Sequence, residues 1–322
     1  MKRLSTVVML VVSALWALGA SAQMYPNRPI KLIVADSAGG APDQLGRLIT
    51  ERLSNNVNQA VVVDNRPGAG GALGAELAAK SAPDGYTLLL TTTAIYAILP
   101  NLRKNLPYDP VRDFVPITRI ATASNVLVVN NELPVKDIAE LVKLAKEKPG
   151  ALNYASAGVG TPAHLAGEML NLLADIKVVH VPYKGAAPAL ADVIAGNAQY
   201  IITSPLAAGA HMNGGRVRAL ATTGTQRNPS LPDLATIAET LPGYDITQTW
   251  GIVVPTGTPP EIVNKLSAEI VKVMNQPDVR EKVLATGATP VGDSPAQFEA
   301  FMTKERQRLG DVIAKRGIVL TD

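Results

Sequence analysis

Two stretches of this chain share one construction: an apolar strand, a glycine-bearing turn, and an amphipathic helix opened by proline. The first runs Ile30-Lys31-Leu32-Ile33-Val34-Ala35-Asp36-Ser37-Ala38-Gly39-Gly40-Ala41-Pro42-Asp43, the second Leu152-Asn153-Tyr154-Ala155-Ser156-Ala157-Gly158-Val159-Gly160-Thr161-Pro162-Ala163-His164. Such a turn leaves backbone N–H groups unpaired at the start of a helix and sets the positive end of the helix dipole beyond the strand's C-terminal end. That is an anion-binding arrangement. Two of them, in a chain long enough for two lobes, point to a small anion held from both sides. Glycine also serves plain tight strand-to-helix connections, so the polar surroundings matter. Ser37, Asp43, Thr91, Thr92 and Thr93 accompany the first turn, and Ser156, Thr161, His164 and Thr203 the second. Hydroxyls and amides are neutral donors that hold a carboxylate without burying an unpaired charge.

The first residues read as an export leader. Lys2 and Arg3 precede an apolar stretch from Val7 to Leu18 that closes on Ala20-Ser21-Ala22, a small-x-small cleavage pattern. Residues 1–22 are therefore expected to be removed near Ala22, leaving a chain free in the periplasm. With no cysteine there is no lipidation site and no disulfide framework. Lys2 and Arg3 are two of 30 basic residues, so without the leader 28 stand against 27 acidic ones. Neither that balance nor any basic cluster interleaved with aromatics supports nucleic-acid binding.

Runs rich in Val, Ile and Leu alternate with helix-period segments, the pattern of mostly parallel sheets flanked by helices. Strands are expected at 30–35, 60–64, 86–91, 125–129, 152–155, 177–181, 199–203, 217–222 and 250–254. Leu45, Leu48, Ile49 and Leu53 give one buried helix face, and Leu165, Met169, Leu172 and Leu173 another. Pro42 and Pro162 each fit the first helical position, where a missing N–H costs nothing. From 259 onward three helices are expected, at about 260–275, 278–286 and 295–315, packing back on the first lobe. Crossings near 120–126 and 244–251 place the first lobe at 23–122 and 249–322, with the second, 123–248, inserted in it.

Enzyme chemistry finds little footing. His164, His180 and His211 show no metal-ligand spacing, so no metal or cofactor is expected. Ser156 or Ser204 with His164 and an acid make a conceivable triad, but no G-x-S-x-G elbow occurs. The run Gly68-Ala69-Gly70-Gly71-Ala72-Leu73-Gly74 departs from a dinucleotide fingerprint, since Leu73 takes the place of the third glycine. It reads as a packing turn. His164 reads equally as a ligand contact or a satisfied structural residue.

The chain resembles the Bug family of periplasmic solute-binding proteins, the receptors of tripartite tricarboxylate transporters. The resemblance rests on ordered blocks: Tyr25-Pro26-Asn27-Arg28-Pro29-Ile30, Val63-Asp64-Asn65-Arg66-Pro67-Gly68, Ala82-Pro83-Asp84-Gly85-Tyr86, Gly158-Val159-Gly160-Thr161-Pro162, Val181-Pro182-Tyr183-Lys184-Gly185 and Trp250-Gly251. It implies an α/β, two-lobed type II periplasmic-binding-protein fold with a carboxylate ligand in the interlobe cleft. Carried onto this sequence, the first-lobe contacts are Ser37, Ala38, Gly39, Gly40 and Asp43. The second-lobe contacts are Ser156, Gly158, Gly160 and Thr161, with Tyr183 and Lys184 nearby. The implied partner is an integral membrane permease, and the receptor is expected to be a monomer.

Two departures bear on the ligand. In the family the first turn usually reads Pro-Phe-x-Ala-Gly-Gly, and here Asp36 stands where that Phe would be. Where the family often carries an Asp, this chain has Thr203, a hydroxyl able to donate where an ionised acid cannot. An aromatic diacid would want an apolar wall, which Ala94, Ile95 and Tyr96 are placed to supply. Two other readings share these residues: a receptor docking on a sensor kinase, and a secreted serine hydrolase.

Overall fold

The computed structural model describes residues 25–228 and 231–316, so the leader lies outside the described residues. Eleven strands are seen there: β1 (Ile30–Val34), β2 (Val61–Asn65), β3 (Thr87–Thr92), β4 (Phe114–Ser124), β5 (Val126–Asn130), β6 (Asn153–Ser156), β7 (Val179–Pro182), β8 (Tyr200–Thr203), β9 (Val217–Thr222), β10 (Thr247–Pro255) and β11 (Thr289–Pro290). They form two sheets, ordered β11-β4-β10-β3-β1-β2 and β7-β6-β8-β5-β9. β1 is an interior strand between β3 and β2, and its apolar run Leu32-Ile33-Val34 is buried on both faces, which is why it shows no alternation. The Ala41–Val57 helix covers one face through Leu45, Ile49 and Leu53.

The sheets are mixed, more antiparallel than the strand–helix alternation implies. β1 pairs in parallel with β2 and β3, and β6 with β7 and β8. β10 runs antiparallel to both β3 and β4, and β5 antiparallel to β8 and β9. The reason is topological. β4 carries the chain toward the second sheet, which it enters at Val126, and β10 brings it back, so two strands crossing in opposite directions pair side by side.

β4 has no counterpart among the strands expected from sequence. Pro116 lacks the N–H a ladder needs, and Thr118, Arg119, Thr122 and Ser124 break any apolar run. Register shifts between Trp250 and Gly251 and between Ile252 and Val253 let the pairing absorb these residues. The two-residue β11 also lies outside the expected set.

The C-terminal helices run Pro260–Met274, Pro277–Ala285 and Pro295–Arg316, and the last packs on the first sheet. Arg119 clasps Asp293 through its backbone N–H and its guanidinium, and Phe298 meets the Tyr96 ring edge-on at 6.4 Å. One buried apolar cluster continues from Leu89 and Phe298 through Tyr96, Leu99 and Leu165 to Tyr154 and Tyr200, joining the two sheets' surroundings. No described helix is long and apolar enough to cross a membrane.

Gly251 marks the tightest place in the first sheet's packing, since a Cβ there falls 2.2 Å from Phe298 Cζ. Gly251→Ala is expected to cost about 1–3 kcal/mol through overpacking, read as a lower melting temperature. Adding Phe298→Leu should recover part of that loss.

Candidate ligand-binding cleft

The C-terminal ends of β1, β2, β3, β6, β7 and β8 converge on one cavity of about 330 Å³. Ligands of open α/β sheets bind at such ends, where strand-to-helix turns present backbone groups. From the first sheet come Ala35, Asp36, Ala41, Pro42, the turn Pro67–Gly71, Thr92, Ala94, Arg103 and Gln248. From the second come Ala157, Gly158, Val159, Thr161, Pro162, Ala163, Pro182, Tyr183, Lys184, Thr203 and Ser204.

Glycines let the two halves close on one another. A Cβ on Gly70 would lie 2.4 Å from the Val159 carbonyl oxygen, and one on Gly160 would lie 2.2 Å from Leu99 Cδ2. A Cβ on Gly185 would lie 2.1 Å from Ser37 Oγ. The turn Pro67–Gly71, read from sequence as packing alone, is therefore both cavity wall and interlobe contact. Its signal was present in the glycine run, but the partner that makes it meaningful sits far along the chain.

Six of the residues expected from sequence line the cavity: Asp36, Thr92, Gly158, Thr161, Tyr183 and Thr203. The others lie outside that lining, and for most of them hydrogen bonding shows what they do instead. Gly39 N–H donates to Asp43, whose carboxylate also takes Arg47 and Asn65. Burial works against the charge of Asp43, but these donors hold its carboxyl below the usual range. Gly40 N–H is spent on the Ser37 carbonyl, and Ala38 and Gly39 form the exposed tip of the turn. Thr91 is buried inside the sheet, while Ile95 and Tyr96 point into the core and leave Ala94 as the apolar contribution of that segment. Tyr108 donates to the Ile95 carbonyl, which fixes the π-helical turn Ala94–Ile98.

The second turn is similarly self-satisfied. Gly158 N–H donates to Ser156 Oγ, Gly160 N–H to His164 Nδ1, and His164 N–H to Thr161 Oγ1. Thr161 N–H and hydroxyl both donate to the Gly158 carbonyl. The amides of Val159 and Ala163 find no acceptor among the described residues, and both residues line the cavity. The first turn adds the Ala41 amide at the start of its helix. The anion-binding arrangement is thus narrower than the glycine pattern implies, because most of its amides shape the turn itself.

His164 lies outside the cavity lining, stacked on His180 at 4.3 Å between ring centroids. Burial lowers its pKa to about 4, and burial together with His164 lowers that of His180 to about 3, so both rings are neutral near pH 7. Ser156 and His180 Nε2 share a hydrogen bond of 2.6 Å, yet Ser156 is fully buried and outside the cavity wall.

The charged groups of the wall are Asp36, Arg103 and Lys184. Asp36 is half-buried, and burial pushes its carboxyl up to about 6 despite donation from the Ser37 N–H and hydroxyl; Asp43 adds repulsion. Arg103 was not anticipated from sequence, where no periodicity or motif marks it. Its Nε is buried without an acceptor, a state that costs roughly 1–3 kcal/mol for a polar group and more for a charged one.

Thr161 caps the Pro162–Ala174 helix and bonds back to Gly158, so one hydroxyl shapes the whole second turn. Thr161→Val is expected to cost about 1 kcal/mol of stability by loss of the cap. Thr161→Ser should restore it in thermal unfolding.

Residues 45–318 match the family described as the tripartite tricarboxylate transporter family receptor. Protein BugT of Bordetella pertussis is 35% identical over 323 residues, covering 99% of each chain. The structure of R. palustris Rpa4515 with adipate superposes with a TM-score of 0.89 at 35% identity, covering 92% of this chain and 99% of that one. MatC from Rhodopseudomonas palustris, with bound malate, gives 0.86 at 30% identity, covering 90% and 100%. The fold, the cleft at the strand ends and these near end-to-end matches agree: the chain belongs to the tripartite tricarboxylate transporter receptor family, among the Bug-type periplasmic solute-binding proteins.

Proposed function

We propose that this receptor captures a small dicarboxylate in the interlobe cavity and, closed around it, docks as a monomer on an integral membrane permease of a tripartite transporter. The observation that carries the reading is the pair of unspent amides at Val159 and Ala163 in the same wall as the Arg103 guanidinium. Donors of that kind suit carboxylate oxygens. The cavity, at about 330 Å³, sits at the small end of ligand sites, which favours a compact acid. The adipate and malate held by the two relatives are of that class. Closure acts through contacts made only in the closed form, so the ligand shifts the open–closed balance toward the form the permease reads.

The hinge lies at the two chain crossings, with lobe boundaries at 122/123 and 248/249. The receptor carries out no reaction. In support, Ser156 is buried outside the cavity lining, and among the described residues no acidic partner orients His180, so this Ser–His contact is not presented to the cavity. The leader read at 1–22, cleaved near Ala22, and the absence of cysteine fit an exported, unlipidated receptor.

A thermal-shift panel of dicarboxylates, monocarboxylates, amines and sugars tests the ligand class. A dicarboxylate at a hundredfold over its Kd should add about 2.7 kcal/mol of stability. Stabilisation by amines or sugars alone would sink the reading. A second expectation concerns pH. An acid with a raised pKa favours its site when protonated and disfavours it when ionised, so the contribution of Asp36 is favourable at low pH and lost as pH rises through about 6. Affinity for a dicarboxylate should therefore weaken between pH 5.5 and 7.5, roughly the window around that value. Asp36→Asn should flatten the profile in calorimetric titrations.

A further inference from the structure

We propose that Arg103 is the residue that makes this cleft select dicarboxylates over monocarboxylates of the same length. The inference deepens the carboxylate reading and rests on it.

Arg103 follows the short Leu99–Leu102 helix, whose backbone it leaves in an extended conformation while its N–H donates to the Leu99 carbonyl. Leu99 is fully buried and occupies the space that a side chain on Gly160 would need. The position of Arg103 is therefore keyed to the contact between the lobes, and a guanidinium is brought to the cavity wall together with the second turn. Among the described residues that guanidinium has no hydrogen-bond or ion-pair partner, and its Nε is withdrawn from solvent. Neighbouring polar groups are committed elsewhere: Tyr108 to the Ile95 carbonyl, Asn101 to the carbonyls of Ala97 and Arg306.

The other cation of the wall is less suited to the task. Lys184 is exposed, and a solvated ammonium gains little from an added carboxylate. A partly buried planar fork binds a carboxylate through two parallel bonds and is weakly hydrated to begin with. The amides at Val159 and Ala163 provide neutral donors for one carboxylate, and Arg103 provides a charged fork for another. A monocarboxylate satisfies one set and leaves the other without an acceptor. Arg103 also borders a surface groove lined by Lys104, Arg112 and Arg306 with one acid, Asp109, so its surroundings on that side are mainly basic.

Calorimetric titration of adipate and hexanoate, which share a six-carbon chain and differ by one carboxylate, provides the test. Wild type should prefer adipate. Arg103→Gln should weaken adipate at least tenfold and hexanoate less than threefold, collapsing the preference, while Arg103→Lys should lose adipate affinity to an intermediate degree. Equal weakening of both acids, or of neither, overturns the role of Arg103 and leaves the carboxylate reading standing. If wild type binds no carboxylate, both fall. If the glutamine variant does not fold, Arg103→Lys decides together with salt titration of wild type. The adipate preference must then shrink in Arg103→Lys and with rising ionic strength, and a preference indifferent to both overturns the proposal.

Discussion

The lobes of this receptor touch where side chains are missing. At Gly70, Gly160 and Gly185 the space a Cβ would fill is taken by Val159, Leu99 and Ser37 from the facing lobe. Everything at the site follows from that approach. The turn after β2 becomes a wall because Gly70 can lie against Val159, and the segment bearing Arg103 is registered on the second turn because Leu99 fits over Gly160. Positive φ angles at Gly70 and Gly160 add a backbone reason for the same residue type. Sterics and conformation both demand glycine there.

Hydrogen-bond accounting divides the two turns into scaffold and site. The side chains of Asp43, Ser156, Thr161 and His164 accept backbone N–H groups of their own turns, and Asp36 accepts that of Ser37, which makes each turn rigid at the expense of most of its free amides. What remains for a ligand is few and fixed in place. A small number of preorganised donors leaves little ordering to do on binding.

Much of the architecture was legible in the sequence because it is local. Apolar runs gave the central strands, prolines marked the starts of helices, and glycines located the strand-to-helix turns. Pro42 proved to be the second helical residue rather than the first, a shift of one position. β4 escaped because its polar residues and Pro116 are tolerated only by the bulged pairing with β10, a property of the partner strand. At the cavity, the sequence marked two turns that border it but not which of their residues face it. Asp43 and Ser156 have the chemistry of ligand contacts and are occupied by Arg47, Asn65 and His180, partners that local pattern does not reveal. Arg103 lies at the opposite extreme, one of two adjacent cations in an unpatterned stretch, its position set by the packing of Leu99.

The two crossing strands impose one more condition. Because β4 and β10 are hydrogen-bonded neighbours from Phe114 and Pro255 through Ser124 and Thr247, the connection between lobes is a ribbon rather than two separate threads. A ribbon bends readily across its flat face but resists twisting and sideways shear, which would break its ladder. Relative displacement of the two sheets in such a molecule is channelled into bending of that ribbon, since other displacements would cost ladder hydrogen bonds.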